Sequence, residues 1–126
     1  MNPRRRRPYH PTMDAVGGYL DALRRQDWAA LRATLDPDVV RRGPYGDDVT
    51  GRDAYVDFLA ETFTMLGDYG LEVHRTFGTD ARVCVELAET ATVGEERLRT
   101  EEAVVFAVDG ASITGVRVFL QRSTPV

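Results

Sequence analysis

Residues 19–66 read YLDALRRQDWAALRATLDPDVVRRGPYGDDVTGRDAYVDFLAETFTML, and their periodicity decides the fold. Val16, Tyr19, Leu20 and Leu23 recur at the i, i+3, i+4, i+7 spacing of one helical stripe. Thr12 is placed to cap that helix, and Asp14 is favourable in its first turn. Asp27 is the expected cap of a short second helix carrying Trp28, Leu31 and Leu35 on one face. Pro37 stops it, because the residue before a proline avoids the helical region. Val39–Arg42 reads as a short strand, broken by the turn Gly43-Pro44-Tyr45-Gly46. Thr50 with Asp53 imitates a capping box and opens a third helix. Its stripe is Tyr55, Phe58, Leu59, Thr62, Phe63 and Leu66, with Gly67 as the C-cap.

From Leu71 the period becomes two. Strands are expected at 71–77, 81–92, 97–108 and 113–121, separated by turns at Gly78-Thr79-Asp80, Gly94-Glu95 and Asp109-Gly110. Two of these strands are longer than usual, and long strands in a small domain imply a coiled sheet. The predicted fold is therefore α+β: a cone-shaped roll of three N-terminal helices on a strongly bent, mainly antiparallel sheet. Such a cone has one open end and suits a small-molecule pocket. The Gly17–Gly18 pair inside the first helix costs about 1 kcal/mol per glycine against alanine. Either it leaves room for a close neighbour or ligand, or it marks a frayed first turn.

The 126 residues suffice for one domain with one core. Residues 1–12 are expected to form a flexible basic arm, 13–122 the cone and 123–126 a tail. No stretch is long and apolar enough to span a bilayer, and no apolar core follows the basic N-terminus as a signal peptide would require. All 16 basic residues are arginine. Four of them, Arg4 to Arg7, lie in the arm. Subtracting these from the net charge of −4 leaves the body at −8, which repels nucleic-acid phosphates. The arm itself is read as a solvated terminus rather than a contact for RNA, DNA or anionic lipid. The lone Cys84 allows no internal disulfide and suits a reducing cytoplasm.

Alternation assigns the sheet faces. Val83, Val85 and Leu87 share a face with Glu89. Val104, Phe106 and Val108 share one with Glu102, and Val116, Val118 and Leu120 alternate with Arg117 and Phe119. If the apolar sets meet the helices, Glu89 and Glu102 point to the covered side near its rim, where an acid needs a partner or water. The opposite face carries Cys84, Ala88, Ala103, Val105, Ala107 and Phe119, an apolar patch suited to a sheet-to-sheet homodimer.

The helix spacing, the segments DWAALRATLDPDVV and VTGRDAYVDFL, and the hairpin VDGASITGVRVF together resemble the nuclear-transport-factor-2-like superfamily over roughly residues 14–121. That group includes ketosteroid isomerase, limonene epoxide hydrolase and the SnoaL-like polyketide cyclases. The resemblance implies a helix-1 tyrosine that donates to a developing oxyanion, and Tyr19 matches it. The isomerase's catalytic aspartate falls at Gly43, and its second donor near Val104. The epoxide hydrolase's strand arginine and aspartate fall near Leu87 and Glu89, and its last-strand aspartate at Val118. None of the three catalytic sets is intact.

The residues themselves nominate a proton-transfer site. Tyr19 either donates to a ligand oxygen or serves as a core tyrosine. Glu89 and Glu102 on adjacent strands form either a carboxyl pair with one raised pKa or an ion pair with Arg41. His74 reads as a general base or as a surface residue. Trp28, Tyr55, Phe58, Leu59, Val104, Phe106, Val118 and Leu120 are expected to contact a small, mostly apolar ligand. Cys84 has no basic neighbour in sequence to activate it. Two distant histidines and one cysteine offer no metal spacing, and no glycine-rich phosphate loop or serine elbow is present, so neither metal nor cofactor is expected.

Overall fold

The computed structural model describes residues 11–126; the arginine arm and most of the expected 1–12 segment lie outside the described residues. Three helices, α1 (Pro11–Arg25), α2 (Trp28–Arg32) and α3 (Arg52–Phe63), pack on a six-stranded sheet. Its strands are β1 (Leu35–Arg42), β2 (Asp48–Thr50), β3 (Gly67–Gly78), β4 (Arg82–Val93), β5 (Glu96–Asp109) and β6 (Ser112–Pro125), in the order β2-β1-β6-β5-β4-β3. β1 runs parallel to β6, and every other pairing is antiparallel. The architecture is the predicted α+β cone.

The α1 stripe holds: Val16, Tyr19, Leu20 and Leu23 are buried, and Gly17 and Gly18 face solvent. A Cβ on Gly17 would meet nothing within 4 Å, whereas one on Gly18 would touch Thr34 Cγ2 at 3.6 Å, so the close neighbour is at Gly18, and both glycines lie inside α1. Thr12 is not a cap; its hydroxyl donates to the Asp80 carbonyl at 2.6 Å, tying α1 to the β3–β4 turn. Asp27 caps α2 as expected, accepting from the Ala30 N–H at 3.1 Å. The helix ends at Arg32 and the chain is already extended at Leu35, ahead of Pro37.

The capping box does not form. Gly51 is the α3 N-cap with no side-chain bond, and Asp53 pairs with Arg32 at 2.6 Å instead. α3 stops at Phe63, so Gly67 is the first residue of β3 rather than a C-cap. β2 was not foreseen: three residues of alternating exposure are too short to show a period. At the other end β6 runs through Pro125, which pairs with Leu98, so the expected tail is mostly strand.

Helices and the concave sheet face enclose one core that includes Val16, Leu31, Tyr55, Val83, Phe106 and Ile113, all nearly or fully buried. Register shifts bend the sheet: two in β3 against β4 and two in β5 against β6. A bulge re-aims the side chains beyond it. The shift between Val73 and Arg75 turns Arg75 and Phe77 to the outer face, opposite Glu86 and Cys84.

Candidate functional site

The open end of the cone holds a cavity of about 400 Å³. The register sets out the inner sheet face in rows, part of which floors the cavity. Arg41, Val116, Phe106 and Val83 form one row; Val118, Val104 and Val85 form another; Leu120, Glu102 and Leu87 form a third. Next to it, Glu89 pairs with Thr100 on one side and Leu71 on the other. α1 and α3 roof these rows with Tyr19, Leu20, Leu23, Phe58, Leu59 and Phe63. The wall is mostly apolar, with two polar poles.

The first pole is an acid pair with a phenol. The Tyr69 hydroxyl donates to Glu89 Oε2, and Glu102 lines the same end of the cavity from the neighbouring strand, diagonal to Glu89. Burial, then the hydrogen bond and negative charge of Glu89, push the Glu102 carboxyl up to about 10. Glu102 is therefore a neutral acid at neutral pH. Burial and the same Glu89 charge drive the Tyr69 phenol far above its ordinary value, so it acts only as a donor to Glu89.

The second pole is Arg41. Its Nη1 lies 3.2 Å from Asp47 Oδ2, and its guanidinium packs over the Phe58 ring at 4.9 Å. Asp47 also accepts from the Tyr45 N–H at 3.1 Å. Burial raises the Asp47 carboxyl, but the backbone donors and Arg41 outweigh it and hold it below the usual carboxylate range. Arg41 thus pairs with Asp47 and not with Glu89, which corrects the expected ion pair; Arg41 still weakly opposes the Glu102 shift through space.

Tyr19 lines the cavity, but its hydroxyl is shared with that of Tyr55 at 2.6 Å. Burial, then Tyr55, raise its pKa well above the ordinary phenol value. Tyr55 is fully buried behind the wall and burial lifts it to about 12. Trp28 is likewise outside the lining, stacked edge-on against Phe63 at 5.2 Å. Phe58, Leu59, Val104, Phe106, Val118 and Leu120 do line the cavity.

His74 does not join them. Alternation with the inward Leu71 and Val73 puts it on the outer face with Glu72, where its Nε2 meets Glu101 at 3.0 Å beside an Arg99–Glu72 contact. That placement removes it from cavity chemistry.

Tyr69 and Asp47, the residues that hold the two polar poles, escaped the sequence reading. Tyr69 shares the parity of Leu71 and had a signal, since β3 begins at Gly67, four residues ahead of the expected start. Asp47 had none, because a turn residue's direction is not encoded by period. Among the described residues no three His, Cys, Asp or Glu side chains gather as a metal-ligand set, and no helix is long and apolar enough to cross a membrane.

A three-helix cone over a bent six-stranded sheet, open at one end onto a mostly apolar cavity, is the architecture of the nuclear-transport-factor-2-like class. Within it the chain belongs to the SnoaL-like domain family, which it matches over residues 16–117. No curated protein matches the sequence. Among solved structures, an LEH-like epoxide hydrolase from M. tuberculosis is 24% identical with a TM-score of 0.79, covering 88% of this chain and 83% of its own. A protein of ketosteroid isomerase-like fold from Catenulispora acidiphila, solved with trimethylamine, is 17% identical with a TM-score of 0.78, covering 86% and 85%. TerC, solved with polyporic acid, is 18% identical with a TM-score of 0.79, covering 88% and 92%. At these identities the likeness is one of fold.

Proposed function

We propose that this chain binds a small, mostly apolar, oxygen-bearing molecule in its cone and moves a proton on it without a cofactor. One observation carries the reading: two carboxyls on neighbouring strands, Glu89 and Glu102, line one mostly apolar cavity, and the Tyr69 phenol donates to Glu89. Glu102 gives its proton to the substrate oxygen, while Glu89 takes one from water or from carbon. This pattern serves an isomerase, a cyclase or an epoxide hydrolase. The Tyr19–Tyr55 hydroxyl contact can be made with either as donor; where Tyr55 donates, the Tyr19 hydroxyl proton is free to polarise a second oxygen.

A panel of small epoxides and unsaturated ketones tests this. Turnover is expected in the native chain and lost in Glu89→Gln and in Glu102→Gln, with circular dichroism unchanged. Full activity in both variants removes the mechanism.

A non-catalytic ligand-binding module is the second reading. It is favoured by Gly43, Val104 and Val118, which stand where the resembled enzymes carry acids. Binding without turnover across the panel would select it. The outer face supports the expected homodimer: Phe77 and Phe119 are 45% and 48% exposed there, around partly covered Cys84 and Val105, although Ala88 is buried. Sedimentation at increasing concentration tests that contact. Residence in the cytoplasm rests on the lone Cys84 thiol.

A further inference from the structure

We propose that the cavity ligand carries a carboxylate, which binds Arg41 in the seat that Asp47 now fills. The inference rests on the ligand-binding part of the function proposed above and is independent of its proton-transfer step.

Arg41 is a cation built into an apolar wall. Its side chain is 13% exposed, and a charge held there needs an opposite charge and hydrogen-bond acceptors. Its partner comes from the exposed turn that follows β1. Asp47 is 38% exposed and reaches the guanidinium through one 3.2 Å contact, not the two parallel bonds that a carboxylate and a guanidinium make when freely oriented. Half-exposed pairs of this kind contribute little to stability. The protein's own hold on Asp47 is therefore weak.

The seat itself is specific. A Cβ at position 43 would lie 2.2 Å from Asp47 Oδ1, so only the missing side chain of Gly43 lets a carboxylate sit there. The Tyr45 N–H supplies a second donor at 3.1 Å. Guanidinium, backbone N–H and the gap at Gly43 thus make a carboxylate site, and the occupant in the structure is a carboxylate. The turn that carries it is solvent-facing; Tyr45 at its tip is 81% exposed and still borders the cavity mouth.

Exchange leaves the charge of the cavity unchanged. An entering carboxylate replaces Asp47 rather than adding to it, so Glu89 at the other pole sets no new repulsion. A neutral ligand gains nothing at Arg41. The register also sets the length of the ligand. Val116 lies level with Arg41 and Leu120 level with Glu102, so the poles are separated by four residues of β6, roughly 13 Å of strand. Long side chains shorten that gap to the span of a two-ring acid.

The experiment titrates naphthoate and naphthamide, which differ only in the charged group, into the full chain by calorimetry near neutral pH. Naphthoate is expected to bind roughly tenfold tighter than naphthamide. Arg41→Gln should erase that preference. Asp47→Asn, a change on an exposed turn that leaves the core untouched, should tighten naphthoate about threefold or more and leave naphthamide unchanged. Equal affinities in the native chain, or a preference that survives Arg41→Gln, overturn the carboxylate seat while the ligand-binding cavity stands. Binding of neither probe overturns both.

Discussion

Tyr69 and Glu89 meet diagonally across the β3–β4 ladder, the phenol donating to the carboxylate from a position two residues before the direct partner, Leu71. The hydroxyl thereby fixes Glu89 Oε2 on the side of the cavity that Glu102 also lines. Tyr69→Phe keeps the ring against Phe63, at 4.7 Å between centroids, and deletes only this bond. Tyr69 is thus a positioning residue. The variant is expected to lower kcat by roughly tenfold or more with KM within about twofold, because ground-state packing is kept. A variant with native kcat would show that Glu89 needs no orienting partner.

Glu102 links the site to stability. Its carboxyl titrates at about 10 in the fold against 4.5 in the unfolded chain, chiefly through burial and then through Glu89. Between those values the folded chain binds the extra proton. The stabilising contribution is complete below about 4.5 and is lost as pH rises toward about 10. Glutamine has no proton to lose. Melting temperatures of Glu102→Gln and the native chain should therefore diverge with rising pH, the variant gaining. A constant difference across the window contradicts a neutral Glu102.

Much of this was legible in the sequence, for physical reasons. Long apolar stripes fixed α1 and α3, because burial selects one helical face. Strict alternation in 83–89 and 102–108 fixed which acids face inward, since β4 and β5 pair without a shift over their whole length. Of the two readings of His74 the surface one holds, since alternation with the inward Leu71 and Val73 turns it outward. The failures arose where a tertiary contact or a turn decided. Thr12 and Thr50 had the right chemistry for caps, but tertiary partners and Gly51 took those roles. The Arg41 partner was misassigned because Asp47 reaches it from a turn, where no period applies.

His74 supplies a control. It belongs to an exposed charge network with Glu101, and Arg99 and His74 together hold that carboxyl below its usual range. His74→Gln should leave naphthoate affinity and any turnover within about twofold, and stability within about 0.5 kcal/mol. Loss of turnover in this variant would place a required proton acceptor on the outer face.

Gly17 offers a gain. It lies inside α1, faces solvent, and a Cβ there would touch nothing within 4 Å. Gly17→Ala is expected to stabilise the chain by about 1 kcal/mol through the helix propensity alone, with ligand affinity unchanged. Urea denaturation with an unaltered m-value checks this. A destabilised variant would mean that the solvent-facing side of α1 is covered in solution.

Tyr19 and Tyr55 form the other buried polar contact, and its energetics separate a structural pair from a ligand donor. Tyr55 is fully enclosed, whereas Tyr19 borders the cavity. Tyr19→Phe takes from the enclosed Tyr55 hydroxyl its 2.6 Å partner, leaving Arg41 as the nearby polar group, and should cost about 1 kcal/mol or more. Tyr55→Phe leaves the Tyr19 hydroxyl facing the cavity, where water can meet it, so its cost should be smaller. In the double variant neither hydroxyl is stranded. Its destabilisation should fall below the sum of the two single costs, with a coupling of about 0.5 kcal/mol or more. The same three variants report on function. If Tyr19 polarises a ligand oxygen, Tyr19→Phe lowers kcat and Tyr55→Phe does not. Equal kcat in all three would leave the pair a purely structural contact, with the chemistry confined to Glu89 and Glu102.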